Sequence, residues 1–558
     1  MNKTQSTASS DHPVVPQLLL EGHQRFGTRE CVVTPRERMT YAELDERSAV
    51  LATRLVQMGI GKGTRVGILF PNGVDWVLAW AAAARIGAIT VPVNTFYRQP
   101  ELARFLRHSD IQVLLGVPRF LQHDYAAALE SIAPELTTAN SGPLHLPSLP
   151  QLRRVLFWGE HLPGWVEPNE EGTPLLDTNQ LRQVVGGMEA DVTPSDELLM
   201  TYTSGSTGEP KGVVHSHGAL MRHARNLATI AGLDESSRIW TPMPLCWVGG
   251  FVFSMLRALV SGGCFLTQEI FEPGAALLFL TAERVTNVSA WPGVTKAMYE
   301  HSDFASYDFS SIRYGWYEAT PIERRPPDIG LVVGSLGMSE TCGPHTSSFA
   351  TEQVVGAPED YRGSFGHEIP GTEHRIVDPE SGQDVPEGQE GEVLVRGYNL
   401  MLGLYKQDRE DVFDSDGWYH TGDRGYFRDG WFFFTGRQTD LIKTEGSNVA
   451  PGEVEQCLMG YDDVKLAFVV GVPNEDRGQD VIGLVVPWSH SAGTGTSPAL
   501  EGDELRGRLR KSLSSYKVPR KILIIDDDQI SWLASQKVDR RAVVALATRL
   551  VDETHGVG

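Results

Sequence analysis

Apolar residues recur at helical spacing at Leu44, Leu51, Leu55 and Met58, behind a Thr40-x-x-Glu43 start and ahead of a stop at Gly59. A hydroxyl at the first position and a carboxylate three residues later satisfy amides that a helix start leaves without partners, so the pattern predicts a capped helix. Short apolar runs follow at 66–70, 89–93 and 112–116, with helical stretches at 76–86 and 101–107 between them. Strand and helix signals in alternation predict an α/β fold built on a mainly parallel sheet.

The texture then changes. Residues 137–187 scatter Pro, Gly, Asn and Thr among short apolar pieces and read as a surface excursion rather than a core unit. Strand and helix signals resume at Leu198 and continue past Val333. From Gly391 the 392–396 run alternates like a half-buried strand, and Gly, Asp and aromatic residues crowd 417–436, which predicts smaller antiparallel elements. A last unit follows Gly436, with β-rich runs at 467–470 and 481–486, a polar loop at 489–502 and a helix near 505–513. No internal repeat is visible. The boundary falls near 438–440, giving an N-terminal domain of 1–438 and a C-terminal domain of 439–558.

Composition narrows the function classes. The 558 residues carry 49 Lys+Arg against 71 Asp+Glu, a net charge of −22, which argues against nucleic acid or an anionic membrane as the main partner. With 41% hydrophobic and 22% charged residues the chain has ordinary globular usage, so wholesale disorder, collagen and coiled coil are excluded. Five scattered cysteines, without a C-x-x-C pair, fit a reducing compartment. The polar N-terminus lacks the apolar run of a secretory signal, and Arg85 interrupts the apolar stretch 77–84 well short of the roughly 20 residues of a membrane span. A cytoplasmic protein without a transmembrane segment is expected, and an oligomer is left open.

Residues 201–212 read TYTSGSTGEPKG, after an apolar strand and before a helix starting near Ser216. Glycines permit close backbone approach, hydroxyls and amides can surround phosphate oxygens, and Lys211 adds a positive charge. The spacing is not that of a Walker A loop, because Gly212 follows Lys211. A solvated Ser/Gly turn is the plain alternative.

The run Thr203–Gly212 resembles the T-S-G-[ST]-T-G-x-P-K-G signature of the adenylate-forming enzymes, which include acyl-CoA synthetases, peptide-synthetase adenylation domains and firefly-type luciferases. Further stations resemble the family in the same order: Gly337-Met338-Ser339-Glu340-Thr341, Tyr419-His420-Thr421-Gly422-Asp423, Gly436-Arg437-Gln438-Thr439-Asp440, Gly446–Glu455, and Ala534–Arg540. The resemblance spans nearly the whole chain, from about 18 to 546. It implies a large N-terminal domain of parallel-sheet α/β subdomains plus a β-barrel-like part, with a small mobile α+β C-terminal domain.

The same resemblance implies the site. Thr203, Ser204, Gly205, Ser206, Thr207, Gly208 and Lys211 would hold the phosphates of ATP, with Ser339 beside them. Glu340 offers a hard carboxylate oxygen for Mg²⁺ shared with those phosphates. Asp423 would accept hydrogen bonds from ribose hydroxyls, and Arg437 would add a fork of donors. Lys537 would stabilise charge as a carboxylate attacks the α-phosphorus. Coenzyme A would then take the acyl group after the C-terminal domain turns about a hinge at Thr439 and presents Lys443 and the Gly446 loop to the pantetheine arm.

The resemblance places the acyl pocket near 246–256 and 291–294, with Trp247, Gly250, Trp291 and Leu336 as lining residues. Apolar lining suits an apolar tail. Departures from the family pattern gather here: Leu336 stands where an aromatic residue usually stacks on adenine, Trp247 where His is frequent, and Glu318 and Gln536 where Gly is usual. Tyr317 is a candidate replacement for the missing ring. Thr439 departs from the frequent Asp or Lys of the hinge. The leading reading is an ATP-dependent ligase of a fatty or bulky ring-bearing carboxylic acid with CoA. Transfer to a carrier protein's phosphopantetheine is the alternative within the same chemistry, and a nucleotide-binding regulator without turnover the alternative outside it.

Overall fold

A computed structural model describes residues 14–168, 178–204, 210–315, 333–349, 356–437, 441–444, 447–449, 451–474, 478–488, 500–511, 513, 517–533 and 538–555. The chain forms two compact units. The first takes in residues up to 355 with 369–372 and 396–416, and the second 356–368, 373–395 and everything from 417.

The first unit holds two large sheets. Eight strands run in the order Gly403–Leu404, Pro210–Ser216, Glu197–Ser204, Ile89–Pro92, Arg65–Leu69, Val113–Gly116, Arg154–Phe157, Glu167–Pro168. The pairing is parallel from the 197–204 strand onward, while the 197–204 and 210–216 strands form an antiparallel hairpin. Five more strands, Asn287–Val288, Arg238–Thr241, Cys264–Thr267, Glu30–Val33 and Arg38–Thr40, make the second sheet. Short, fully buried strands of this kind need helices on both faces.

The predicted helix is Tyr41–Gln57, and its capping box is formed by Thr40 and Glu43. The helix Val74–Arg85 is buried on all sides except at Asp75, so it is a core helix rather than a membrane span. Trp76 and Trp80 pack on Phe251 with ring centroids 5.3 and 5.6 Å apart. Phe251 belongs to a continuous helical stretch, 248–261, whose middle turns Phe251–Leu256 are π-wound. Among the described residues no helix is long and apolar enough to cross a membrane.

Two expectations fail. The segment 137–187 is not a mere surface excursion: its strand Arg154–Phe157 pairs in the parallel sheet with Val113–Gly116, and Leu144, Leu146, Leu149, Leu152 and Trp165 are buried in the core beside it. Four residues of strand between Pro- and Gly-rich flanks give too short a period to register in the sequence. The strand Gly391–Gly397 is not half-buried either, since Gly391 to Val395 are all covered. The buried polar member, Glu392, is tolerated because His420 lies 3.1 Å from its carboxylate.

The second unit contains a sheet of Thr372–Val377, Gly391–Gly397, Tyr419–Arg428 and Trp431–Arg437, with antiparallel pairing along the last three. The aromatic, Gly-rich 417–436 segment thus forms the hairpin its texture predicts. Next to it lies a sheet of Ser447–Val449, Ile442–Thr444, Gly478–Pro487 and Val464–Asn474, extended by Lys521–Ile524 in parallel with 478–487. The helix Pro451–Met459 packs on the 431–437 strand, where the Gln456 side-chain amide donates to Phe434 O at 2.6 Å. Gly452 makes that approach feasible, since a Cβ there would lie 2.5 Å from Thr435 O. The expected 438–440 boundary lies outside the described residues.

Candidate active site

The 197–204 and 210–216 strands carry the ends of the phosphate-loop motif into register, with Thr203 opposite Lys211. Loop residues Gly205, Ser206, Thr207 and Gly208 lie outside the described residues, and of Ser204 only the backbone is described. The hairpin is held rigidly at its base. Gly212 is tightly packed, since a Cβ there would meet Tyr202 and Tyr405 at 3.1 Å, and its carbonyl accepts from Tyr405 N at 2.7 Å. Tyr202 is itself fixed by His108 at 2.8 Å. Lys211 is half-buried, and no hydrogen bond or ion pair of its ammonium is formed among the described residues.

The second motif sits on a tight turn. Strands Leu336–Met338 and Gly343–Ser347 pair antiparallel, and Ser339–Thr341 make one 3₁₀ turn between them. Gly337 is obligatory, since a Cβ would lie 2.4 Å from the Gly343 carbonyl. Backbone bonds anchor the turn: Met401 N donates to Glu340 O at 2.8 Å, and the Asn399 amide donates to Thr341 O at 3.3 Å. Thr341 Oγ1 donates to Gly343 O at 2.7 Å. The Glu340 carboxylate, by contrast, has no partner among the described residues.

A link that the sequence did not reveal ties the two motifs together. His215, on the strand that begins beside Lys211, is fully buried and lies 2.7 Å from Ser339 O through Nε2 and 2.9 Å from Cys342 Sγ through Nδ1. A carbonyl can only accept, so Nε2 carries the hydrogen and Nδ1 receives the thiol S–H. Burial pulls the imidazole down to about 4 and pushes the Cys342 thiol well up, so both are neutral. A buried thiol of this kind is inert. The pair acts as a bolt between the hairpin and the Glu340 turn. Cys342 adopts the left-handed conformation, φ 60°, that aims its thiol at the ring. All five cysteines are free thiols.

In the second unit Asp423 and Arg437 face each other across the hairpin, and Arg437 Nε donates to Asp423 Oδ1 at 3.0 Å. The carboxylate is 6% exposed and the guanidinium 60%, so the pair presents its arginine outward. Asp423 N donates to Thr421 Oγ1, which donates in turn to Val393 O at 2.6 Å, so the T-G-D turn is tied to the next strand. Lys537, Thr439 and Gly446 lie outside the described residues, and only the backbone of Lys443 is described, paired with Asn448. The segment that bears Lys537 is bracketed by a bridge between Trp532 and Val538 and by Asp539 N donating to Ser531 O at 3.0 Å. One residue on from Asp539, Arg540 clasps the buried Glu455 through two bonds of 2.7 and 2.9 Å.

Of the expected acyl-pocket residues, Trp247 and Trp291 stand together with ring centroids 5.5 Å apart. Gly250 faces the backbone of the preceding turn, where a Cβ would lie 2.4 Å from Pro244 O, so close packing accounts for the glycine. Leu336 is half-buried and pairs with Thr346 on the neighbouring Gly343–Ser347 strand. The candidate adenine-stacking Tyr317 and its neighbour Glu318 lie outside the described residues, as does Gln536.

The chain matches the AMP-binding enzyme family over residues 20–405 and the AMP-binding enzyme C-terminal domain over 453–531. It is 30% identical over 548 residues to the acyl-CoA synthetase YngI of Bacillus subtilis, covering 95% of this chain and 96% of the relative. It is likewise 30% identical to the mitochondrial medium-chain acyl-CoA ligase ACSF2 of Bos taurus, over 90% of this chain and 82% of that one. The solved structure of the anthranilate CoA ligase AuaEII with anthranoyl-AMP superposes with a TM-score of 0.75 at 21% identity, over 98% of this chain and 99% of that one.

Fold and comparisons together define an α/β ligase of the adenylate-forming class. The chain belongs to the AMP-binding enzyme family, among relatives named acyl-CoA synthetases and ligases. The cattle relative's name places that protein in mitochondria, so membership of the family does not fix a compartment.

Proposed function

We propose that this enzyme condenses a carboxylic acid with ATP to an acyl-adenylate and pyrophosphate, and then passes the acyl group to the thiol of coenzyme A, releasing AMP. One observation carries the reading: Lys211 and Glu340, opposite charges without partners among the described residues, are held in one unit by the His215 bolt. Lys211 lies four residues before His215 on the same strand, roughly 13 Å along it. A cation and a carboxylate kept apart and unneutralised suit a polyphosphate and its counter-ion.

In the first step an oxygen of the bound acid attacks the α-phosphorus, and the bond to the pyrophosphate breaks. Lys211 and the hydroxyl-rich loop hold the leaving phosphates, and Lys537 supplies positive charge where the pentacoordinate phosphorus becomes negative. Asp423 and Arg437 orient the ribose. Mg²⁺, when bound, neutralises phosphate charge, and Glu340 is the residue fitted to hold it. In the second step the CoA sulfur attacks the acyl carbonyl, its proton passes to solvent, and AMP departs as the bond to its phosphate oxygen breaks. Thr439 serves as the hinge between the steps, with Lys443 and Gly446 beside the pantetheine arm. Trp247, Trp291 and Leu336 line the acyl end.

Incubation with ATP, Mg²⁺, CoA and a panel of acids, with AMP and pyrophosphate followed, tests the reading. Acid-dependent AMP release that requires CoA supports it. Pyrophosphate exchange without CoA consumption would instead assign a carrier-protein phosphopantetheine as the acceptor. ATP binding without exchange for any acid would leave a regulator and overturn the ligase.

A further inference from the structure

The 248–261 helical stretch follows directly on Trp247 and is largely buried up to Leu259, where only Gly249 and Phe253, on one stripe, are partly exposed; Val260 and Ser261 at its end are partly exposed as well. Gly250 to Val252 and Ser254 to Leu259 are all covered. Arg257 completes that stripe, eight residues beyond Gly249 and one turn beyond Phe253. Its guanidinium carbon lies 4.0 Å from the centroid of the Phe253 ring, while the side chain as a whole is only 7% exposed. The neighbouring face is accounted for by protein, since Ser254 Oγ bonds to Ser289 Oγ at 3.0 Å.

Arg257 makes no hydrogen bond or ion pair among the described residues, and its Nε is buried without a partner. Among the described residues no carboxylate acts on it, and burial pulls it down to about 10. A buried guanidinium without a counter-charge opposes folding, because the Phe253 ring face 4.0 Å away offsets only part of its desolvation. The stretch that carries it is π-wound over Phe251–Leu256, a rare conformation that frequently marks functional sites. The stripe starts beside the Trp247–Trp291 pair and ends at a cation that has no charged partner among the described residues.

We propose that Arg257 receives a carboxylate at the far end of the acyl substrate, so that the acid activated here carries a second anionic group. The aliphatic or aromatic middle of such an acid would lie along the Gly249–Phe253 stripe, with the guanidinium fork closing on the distal oxygens. This inference rests on the ligase reading above and narrows its substrate class from apolar acids to acids of two carboxylates.

Pyrophosphate exchange is measured on the full chain with α,ω-dicarboxylic acids of graded length, each against the monocarboxylic acid of equal length. One dicarboxylic acid is expected to exceed its partner in kcat/KM on the order of 10²-fold, the scale of a buried charge pair. Arg257→Met is expected to collapse that ratio towards one and to leave the melting temperature equal or higher, since an unpaired buried charge is replaced by an apolar chain. Arg257→Lys keeps the charge without the fork and retains part of the ratio, which decides the matter should the methionine variant not fold. Preference for monocarboxylic acids at every length overturns the inference, and so does an unchanged ratio in Arg257→Met accompanied by a lowered melting temperature. Exchange with no acid of either kind overturns the ligase reading itself, a result distinguishable from both.

Discussion

Two buried arginines on two core helices lead opposite lives. Arg85, at the end of the 74–85 helix, is 5% exposed and fully engaged: it meets Asp45 at 2.9 Å and Ser48 at 2.7 Å and bonds to Glu189 at 2.5 Å. Arg257, 7% exposed, has an aromatic face and no hydrogen-bond or ion-pair partner among the described residues. The first has the surroundings of an architectural charge, tying segments 40 and 104 residues away in sequence. The second has those of a charge kept for a visitor. Lys211 and Glu340 belong with the second kind, and Arg540 on Glu455 with the first.

The largest expected effect falls on the architectural member. Arg85→Met leaves Asp45 and Glu189 without their cation and is expected to cost about 3–5 kcal/mol in urea unfolding. A loss under 1 kcal/mol would erase the contrast with Arg257. Lys537→Ala is expected to slow adenylate formation by about 10²–10³-fold, the scale of a lost transition-state donor. Thioester formation from a supplied acyl-adenylate should survive, and equal losses in both half-reactions would count against a lysine that serves one step only. Glu340→Ala should raise the Mg²⁺ concentration needed for half-maximal exchange at least tenfold while barely moving the melting temperature. An unchanged metal titration removes Glu340 from the site.

Smaller effects sharpen the picture further. His215 and His217 are held down to about 4 and His223 to about 3 by burial. Their folded values lie below the usual 6.5 of the unfolded chain, so protons bind the unfolded state first as pH falls. Stability is therefore full above pH 6.5 and declines between there and pH 4, by up to about 1.4 kcal/mol per pH unit for each histidine. Urea midpoints at pH 7 and pH 5 measure the decline, and a flat profile would refute neutral burial. Arg437→Ala should change stability by less than about 1 kcal/mol, because its guanidinium is largely exposed, while raising KM for ATP. A large stability loss with unaltered KM would make the pair with Asp423 structural.

Much of the site lay open to reading because its chemistry is local. The phosphate loop, the Glu340 turn and the Asp423 turn each occupy a few consecutive residues, and glycines at 212 and 337 are favoured by contacts under 3.2 Å that a short motif encodes. Gly250 is different. Its glycine answers to Pro244 O rather than to a ligand, which no spacing distinguishes. His215 escaped notice since its partner Ser339 is 124 residues away, and a histidine on an apolar strand looks like any core residue. The strand at 154–157 escaped because its neighbour in the sheet, and not its own four residues, makes it a core element.

The order of residues alone settled the alternation of helices and strands, the capped start at Thr40, the motif stations and the candidate residues for nucleotide and metal. These follow from periods of two and 3.6 residues and from short runs of donors and acceptors, all within a turn or two of chain. Folding in three dimensions decided which charges are matched. Asp45 and Glu189 reach Arg85, Ser339 and Cys342 reach His215, and among the described residues no hydrogen-bond partner or carboxylate reaches Arg257. Whether a charge is neutralised depends on segments that topology brings together from far along the chain.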